Sequence, residues 1–519
     1  MNTSMALKDY QLSRLRVESP NMRRLNRRQF LTFSASSASA LLLAQCVAGK
    51  SRSQPTNSLP ALKQIASTGG LLDVSLNAGY GTVNIAGQQA YLLSYNGQIP
   101  GPTLEAKPGD SVRIRCANNL PNPTNIHYHG LHVPPTGNAD NIFLSIASGE
   151  TFSYEFTIPE DHPGGTFYYH PHRHGWVADQ VFGGLGGPFI IRGALDQIPE
   201  VKAATEEILF LKDFAIDADG QMSQPWHMEF MWGREGPLVT VNGQINPAYS
   251  IPVGGLLRLR LLNASNARFY RLSLEDHPLY LIATDGVSLA EPVELRELLL
   301  APGERADVLV RGEREPGQYR LLDLPYSRGQ MGMMGPGMGP GMGPGRMGPG
   351  MGLGMMEPFD EGTPRTLATL TYSGRVDPLP LPQQLIPVET LPEPQTVRRF
   401  TLNHGMAPGM GMVFWINGKA FDHRRIDTQV SLNTVEEWEI TNTGVMDHPF
   451  HLHTNPFQII SRNGRESSYS TWKDTILVRA GEVVQIRVRF TDFPGKTVYH
   501  CHILDHEDLG MMGTLQIQG

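Results

Sequence analysis

The sequence predicts an all-β protein built from three consecutive Greek-key β-sandwich domains. Three observations carry that expectation. Glycine and proline are abundant, 55 and 40 among 519 residues, which favours turn-rich strand architecture over helices. The stretches SVRIRCANNLPNPTNIHYHGLH, LLRLRLLNASNARFYRLSL and TVEEWEITNTGVMDHPFHLH share one layout: an alternating strand, an Asn, a short loop and a second alternating strand. Their downstream partners HPGGTFYYHPH, EPGQYRLLDL and FPGKTVYHCH each turn through Pro-Gly into a further strand. Short alternating strands joined by such turns read as antiparallel sandwiches. Size agrees, because a chain this long exceeds one core and at roughly 100–200 residues per domain allows two to four.

Taken in order, residues 1–50 read as an address. Arg27 and Arg28 precede the apolar, Ser/Ala-rich run LTFSASSASALLLA, the layout of a twin-arginine export signal, which implies the periplasm as destination. Serines interrupt that run, and no other stretch stays apolar for the roughly 20 residues a membrane helix needs, so no membrane span is expected. LAQC at Leu43–Cys46 approaches a lipoprotein cleavage box, but Gln45 stands where a small residue belongs, and the expectation is against a lipid anchor at Cys46. The domains are expected over residues 65–195, 196–380 and 385–519. Near the end of the second, Met331–Met356 holds nine Met, eleven Gly and four Pro in twenty-six residues, a composition that favours a mobile insertion over a packed element.

The bulk numbers narrow the function. Lys+Arg 43 against Asp+Glu 50 gives a net charge of −7, which offers no basic surface for nucleic acid or an anionic membrane. Three cysteines, at Cys46, Cys116 and Cys501, make no disulfide framework. Cys116 alternates with Val112 and Ile114 and is expected to face a core.

The chemistry sits in four histidine clusters: HYHGLH from His127, HPHRH from His170, HPFHLH from His448 and HCHILDHEDLGMM from His500. Each contains His-x-His, which on a strand directs both imidazoles to one face. In the last cluster Cys501 then faces away from His500 and His502, so one strand can touch two metal sites back to back. The middle repeat is the control. Aligning Asn263 with Asn442 sets Phe269, Leu272 and Leu274 against His448, His451 and His453, so a sandwich of this kind forms without histidines there.

These four motifs, in this order and confined to the first and third repeats, resemble the multicopper oxidase family, from about residue 70 to the end of the chain. The resemblance implies cupredoxin-like sandwiches and four copper ions: one type 1, one type 2 and two type 3. It assigns Cys501, His448 and His506 to the type 1 copper with Met511 as a weak axial ligand, Met512 being the alternative thioether. It assigns His127 and His451 to type 2, His129, His170 and His502 to one type 3 ion, and His172, His453 and His500 to the other. These are ten of the 17 histidines. His132 and His174 exceed the pattern and are expected to be hydrogen-bonded or solvent-facing.

By the same resemblance, dioxygen is the acceptor and goes to two waters, with Glu507 and Asp140 delivering protons. The Met-rich tract resembles that of bacterial copper-tolerance oxidases and implies cuprous ion as donor, with small phenols as the alternative. Met446 matches a substrate-copper ligand there, with Met355, Met356 and Asp360 as further candidates. The match departs at Gly444, where those enzymes have an acidic residue, and Asp447, Asp360 or Glu357 are the available substitutes. HGMAPGMGM adds Met406, Met410 and Met412. A laccase whose tract is only a linker, and a non-catalytic copper store or scaffold, are the competing readings. A monomer is expected.

Overall fold

The computed structural model describes residues 62–225, 229–328, 362–407 and 411–519. The segment expected to be an export signal, with Cys46, the Met331–Met356 tract with Met355 and Met356, Glu357, Asp360 and Met410 lie outside the described residues. Strands dominate the rest, and they form six sheets, two for each sequence repeat. In the third repeat one sheet runs in the order Thr428–Ser431, Met512–Gln518, Gly495–Cys501, His448–Leu452 and Thr475–Val478. The middle repeat reproduces that order with Ala248–Val253, Arg365–Arg375, Gln318–Leu324, Tyr270–Leu274 and Leu298–Leu300. In the first, Thr103–Ala106, Gly187–Ile191, Gly165–His170 and His127–His129 follow the same path.

The sandwiches are not purely antiparallel, which corrects the expectation. Leu71–Ile85 pairs in parallel with Ser111–Asn118, Thr205–Phe214 with Leu256–Asn263, and Thr396–Ala407 with Thr434–Asn442. In each case the chain makes a hairpin in the first sheet, crosses to a strand of the opposite sheet and returns. A long crossover lets the returning strand run in the original direction, which a tight turn cannot do.

The Asn shared by the repeats has a structural reason. Asn118, Asn263 and Asn442 are fully buried at strand ends. The Asn442 amide donates to the carbonyls of Met446 (2.7 Å) and Val478 (3.0 Å) while its oxygen accepts the Gly444 N–H (2.9 Å). Asn118 and Asn263 make the equivalent three bonds. One side chain thus satisfies the backbone of a loop that enters the core, and in the first and third repeats that loop leads into a histidine-bearing strand. Phe269, Leu272 and Leu274 are buried in the middle repeat, as apolar counterparts of the histidines should be. Cys116 is fully buried in the first core.

Candidate metal centres

Cys501 ends the strand Gly495–Cys501, which lies in register with His448–Leu452 so that Phe450 opposes Cys501 and His451 opposes His500. Its sulfur packs in the third core with Met511. Cys501 Sγ lies 3.4 Å from His448 Nδ1 and 3.8 Å from His506 Nδ1. His506 rides on the short helix Leu504–Asp508, and its Nε2–H donates to the Met231 carbonyl at 2.9 Å, which leaves the Nδ1 lone pair for the sulfur side. Phe414 stacks on the same ring at 3.9 Å. Burial drives the Cys501 thiol above its ordinary range and drops His448 to about 3, so the site holds two neutral imidazoles and needs a cation to stabilise a thiolate. Met512 packs instead with Ile142 and Val498, apart from Cys501, so Met511 is the thioether that shares the sulfur's surroundings.

On the other side of that strand eight imidazoles converge. Their ligand atoms fall into three groups, each mutually within 4.8 Å: His127, His129 and His451; His129, His170 and His502; His172, His453 and His500. All eight are buried. His500 Nε2 is 3.1 Å from His172 Nε2 and 3.0 Å from His453 Nε2. Nitrogens that share an ion at about 2.0–2.1 Å lie roughly 3 Å apart when near a right angle, so these spacings fit a metal ligand set. Two of the opposite ring nitrogens are anchored on backbone: His170 Nδ1–H donates to the Pro171 carbonyl (2.9 Å) and His451 Nδ1–H to that of Asp474 (2.8 Å). That leaves His127 Nε2, His129 Nδ1, His170 Nε2, His451 Nε2 and His502 Nδ1 buried with no hydrogen-bond partner. Buried polar atoms without partners are rare and costly, and a cluster of neutral nitrogen lone pairs is what copper takes. The residues present fit the group.

Acidic residues surround the cluster. Both Asp140 oxygens accept from His127 Nδ1–H, at 2.9 and 3.0 Å, and Tyr128 N–H donates to one of them. Burial raises that carboxyl to about 8. Glu507 is fully buried, 3.5 Å from His172 Nδ1 and 3.4 Å from His500 Nδ1, and neither oxygen has a hydrogen-bond partner. Burial, with Asp508 adding to it, holds Glu507 well above the usual carboxylate range.

Several supporting groups escaped the sequence reading. Asp474 accepts from His129 Nε2–H at 3.0 Å and is clamped by Arg305 at 2.8 and 2.5 Å. His502 Nε2–H donates to the Tyr168 hydroxyl oxygen at 3.0 Å. Met231 and Arg305 come from the middle domain, which places none of its described residues in the ligand groups. The one available signal was a charged pair, KD, directly before the apolar strand Thr475–Val478. His132 has both nitrogens engaged, with Thr454 O (2.7 Å) and Asp492 (3.2 Å), and stands outside the ligand groups. His174 meets Phe421 edge to face and is also outside them. Asp447, the described candidate for the acid missing at Gly444, accepts from Tyr326 O–H (2.6 Å) and Ala480 N–H (2.9 Å), one on each oxygen.

Comparison with known proteins adds to this geometry. Family models described as multicopper oxidase match residues 77–195, 231–334 and 390–518. The "Multicopper oxidase mco" of Staphylococcus haemolyticus is 30% identical over 82% of this chain and 83% of its own. A "Cell division protein FtsP" from Xenorhabdus nematophila is 29% identical over 95% of this chain and 98% of its own. Among solved structures, a multicopper oxidase from Campylobacter jejuni described as a metallo-oxidase superposes with a TM-score of 0.76 at 31% identity, covering 89% of this chain and 94% of that one.

Proposed function

This chain belongs to the multicopper oxidase family, and we propose that it couples one-electron oxidation of a donor to the four-electron reduction of dioxygen to water. The observation that carries the reading is the strand ending at Cys501. Its sulfur faces His448 and His506, while His500 and His502, bonded to it through the backbone, face the eight-imidazole cluster. Covalent continuity gives electrons a direct route between the two centres.

Four coppers would supply the redox chemistry, one held by Cys501, His448, His506 and Met511, and three by the eight clustered histidines. The chain's own residues set the conditions. The carbonyl of Met231 and the carboxylates of Asp140 and Asp474 fix which nitrogen of His506, His127 and His129 is free to bind. Glu507 stands where it can hold a proton beside His172 and His500 and release it as water forms. Cuprous ion is the donor favoured, for oxidation to the less toxic cupric form, since soft thioethers select Cu(I) and Met446 lies buried two residues before His448. The description of the Campylobacter relative as a metallo-oxidase agrees with that choice.

The test is oxygen uptake by copper-loaded protein with Cu(I) and with a phenol, compared with Cys501→Ser. Wild type should be intensely blue and consume oxygen faster with Cu(I), and the variant should lose both colour and uptake. Faster turnover of the phenol would favour a laccase. The likeness to FtsP favours a second reading, a scaffold in cell division, and a colourless wild type with full copper would decide for it. The paired Arg27 and Arg28 further suggest export to the periplasm. Cell fractionation should find wild type there and the Arg27→Lys/Arg28→Lys variant in the cytoplasm.

A further inference from the structure

His506 reaches the Cys501 site from a short helix of the third domain, and its outer edge is covered by another domain. Its Nδ1 is turned to the Cys501 sulfur, 3.8 Å away, and Phe414 lies flat on the ring. The remaining polar corner, Nε2–H, donates to the Met231 carbonyl at 2.9 Å, and the residue is fully buried. Met231 belongs to the middle-domain helix Glu229–Trp232, so the capping oxygen is backbone that no change of side-chain rotamer can swing aside.

The chain behind that oxygen is anchored residue by residue. The Trp232 carbonyl accepts from Arg328 (2.8 Å), Glu235 pairs with Arg268 (3.0 Å) and Arg328 (2.7 Å), and Gly236 N–H donates to Asp213 (2.7 Å). Buried Arg234 reaches the helix that carries His506. Its backbone N–H and its guanidinium both hold Asp505, at 2.9 and 2.7 Å, and a second guanidinium nitrogen holds Asp179 of the first domain at 2.7 Å. Gly233, at φ +76°, leaves no gap in between, because an added Cβ would come within 2.4 Å of Ile503 and 2.6 Å of Ala267. A buried segment tied at this many points opens rarely.

We propose that Met231–Gly236 is a specificity element that closes the imidazole edge of His506 to bulky organic donors. The inference rests on the oxidase reading above and deepens it by naming what turns a donor away. A phenol gives up its electron fastest when it touches a ligand ring, but one face of this ring is taken by Phe414. The carbonyl takes the one hydrogen that could hold a phenol oxygen at the edge. Exclusion of this kind discriminates by blocking the wrong partner. A small ionic donor that does not use that edge is unaffected.

The experiment mixes copper-loaded full-length protein under nitrogen with Cu(I) or with a bulky phenol and times the loss of blue absorption. Gly233→Ala wedges the segment off Ile503, and Arg234→Met/Asp505→Asn unties it without stranding the Asp505 charge. Either suffices if the other fails to fold. In each, the phenol rate should rise about tenfold relative to the Cu(I) rate, a split that general loosening of the centre would not produce. In copper-free protein, hydrogen exchange over 229–236 should be slow in wild type and faster in both variants. An unchanged ratio of the two rates in folded variants overturns the cap. So does a wild type whose segment exchanges freely, or whose blue band phenol bleaches as fast as Cu(I) does. Bleaching without oxygen uptake overturns the oxidase reading instead, and the rate ratios still judge the cap.

Discussion

Glu507 is a carboxyl group with nowhere to place a charge. It is fully buried, has no hydrogen-bond partner and stands 3.4–3.5 Å from two ligand imidazoles, so its neutral form dominates in the protein as described. A group of that kind carries a proton into a dry site and gives it up when negative charge on oxygen makes the transfer favourable. Glu507→Gln keeps the shape and removes the proton, and should lower oxygen uptake about 10²-fold or more while leaving the blue absorption in place. Unchanged uptake would move the proton route elsewhere. Asp140 holds the His127 ring through both of its oxygens. Family resemblance, together with its place next to His506, singles out Glu507 in the sequence. Asp474 had no such neighbour, and only folding brings it to His129, 345 residues away.

At the scale of elements, what could be read in advance was whatever depends on a period of two. His127 with His129, and His500 with His502, share faces because they sit on strands, and the Cys501 sulfur is opposite for the same reason. His506 lies beyond the strand on a five-residue helix, where alternation says nothing, and its placement followed from family resemblance alone. The parallel pairs were equally hidden, since alternating apolar residues mark a strand without its direction. Close backbone approach is a third property that pattern does not reveal. Gly303, at φ +85°, lies against the His502 ring, where a Cβ would come within 2.9 Å of ring carbon. Gly303→Ala must both strain the backbone, at roughly 1–3 kcal/mol, and displace that imidazole. The variant should bind less copper per chain than wild type, measured by metal analysis, while the blue band at the remote Cys501 site persists. Full copper content would show that the strand can shift without cost to the cluster.

Across the whole molecule, the middle domain places no described residue in the ligand groups and still bonds to both of the others. Its strand Leu256–Asn263 reads as alternating Leu and Arg, a pattern that would normally put the arginines in water. Arg258 and Arg260 are instead buried, paired with Asp196, Glu206 and Asp307, because another domain covers that face. Arg305 is the extreme case. With 0% exposure, it donates to the Thr166 carbonyl of the first domain, to the Asp285 and Gly303 carbonyls of its own, and to both oxygens of Asp474 in the third. Burial alone would raise the Asp474 carboxyl, but Arg305 and His129 outweigh that and hold it well below its ordinary range, so it is charged. Removing the guanidinium strands that charge in the interior, and breaking a buried pair in this way costs about 3–5 kcal/mol. Arg305→Met should therefore lower the Tm clearly in thermal unfolding. The double variant Arg305→Met/Asp474→Asn should recover part of the loss, because the amide removes the stranded charge and can still accept from His129. If the two substitutions simply add, the pair does not act as a unit, and the union of the three domains must rest on the apolar contacts and on the histidine cluster that the first and third domains share.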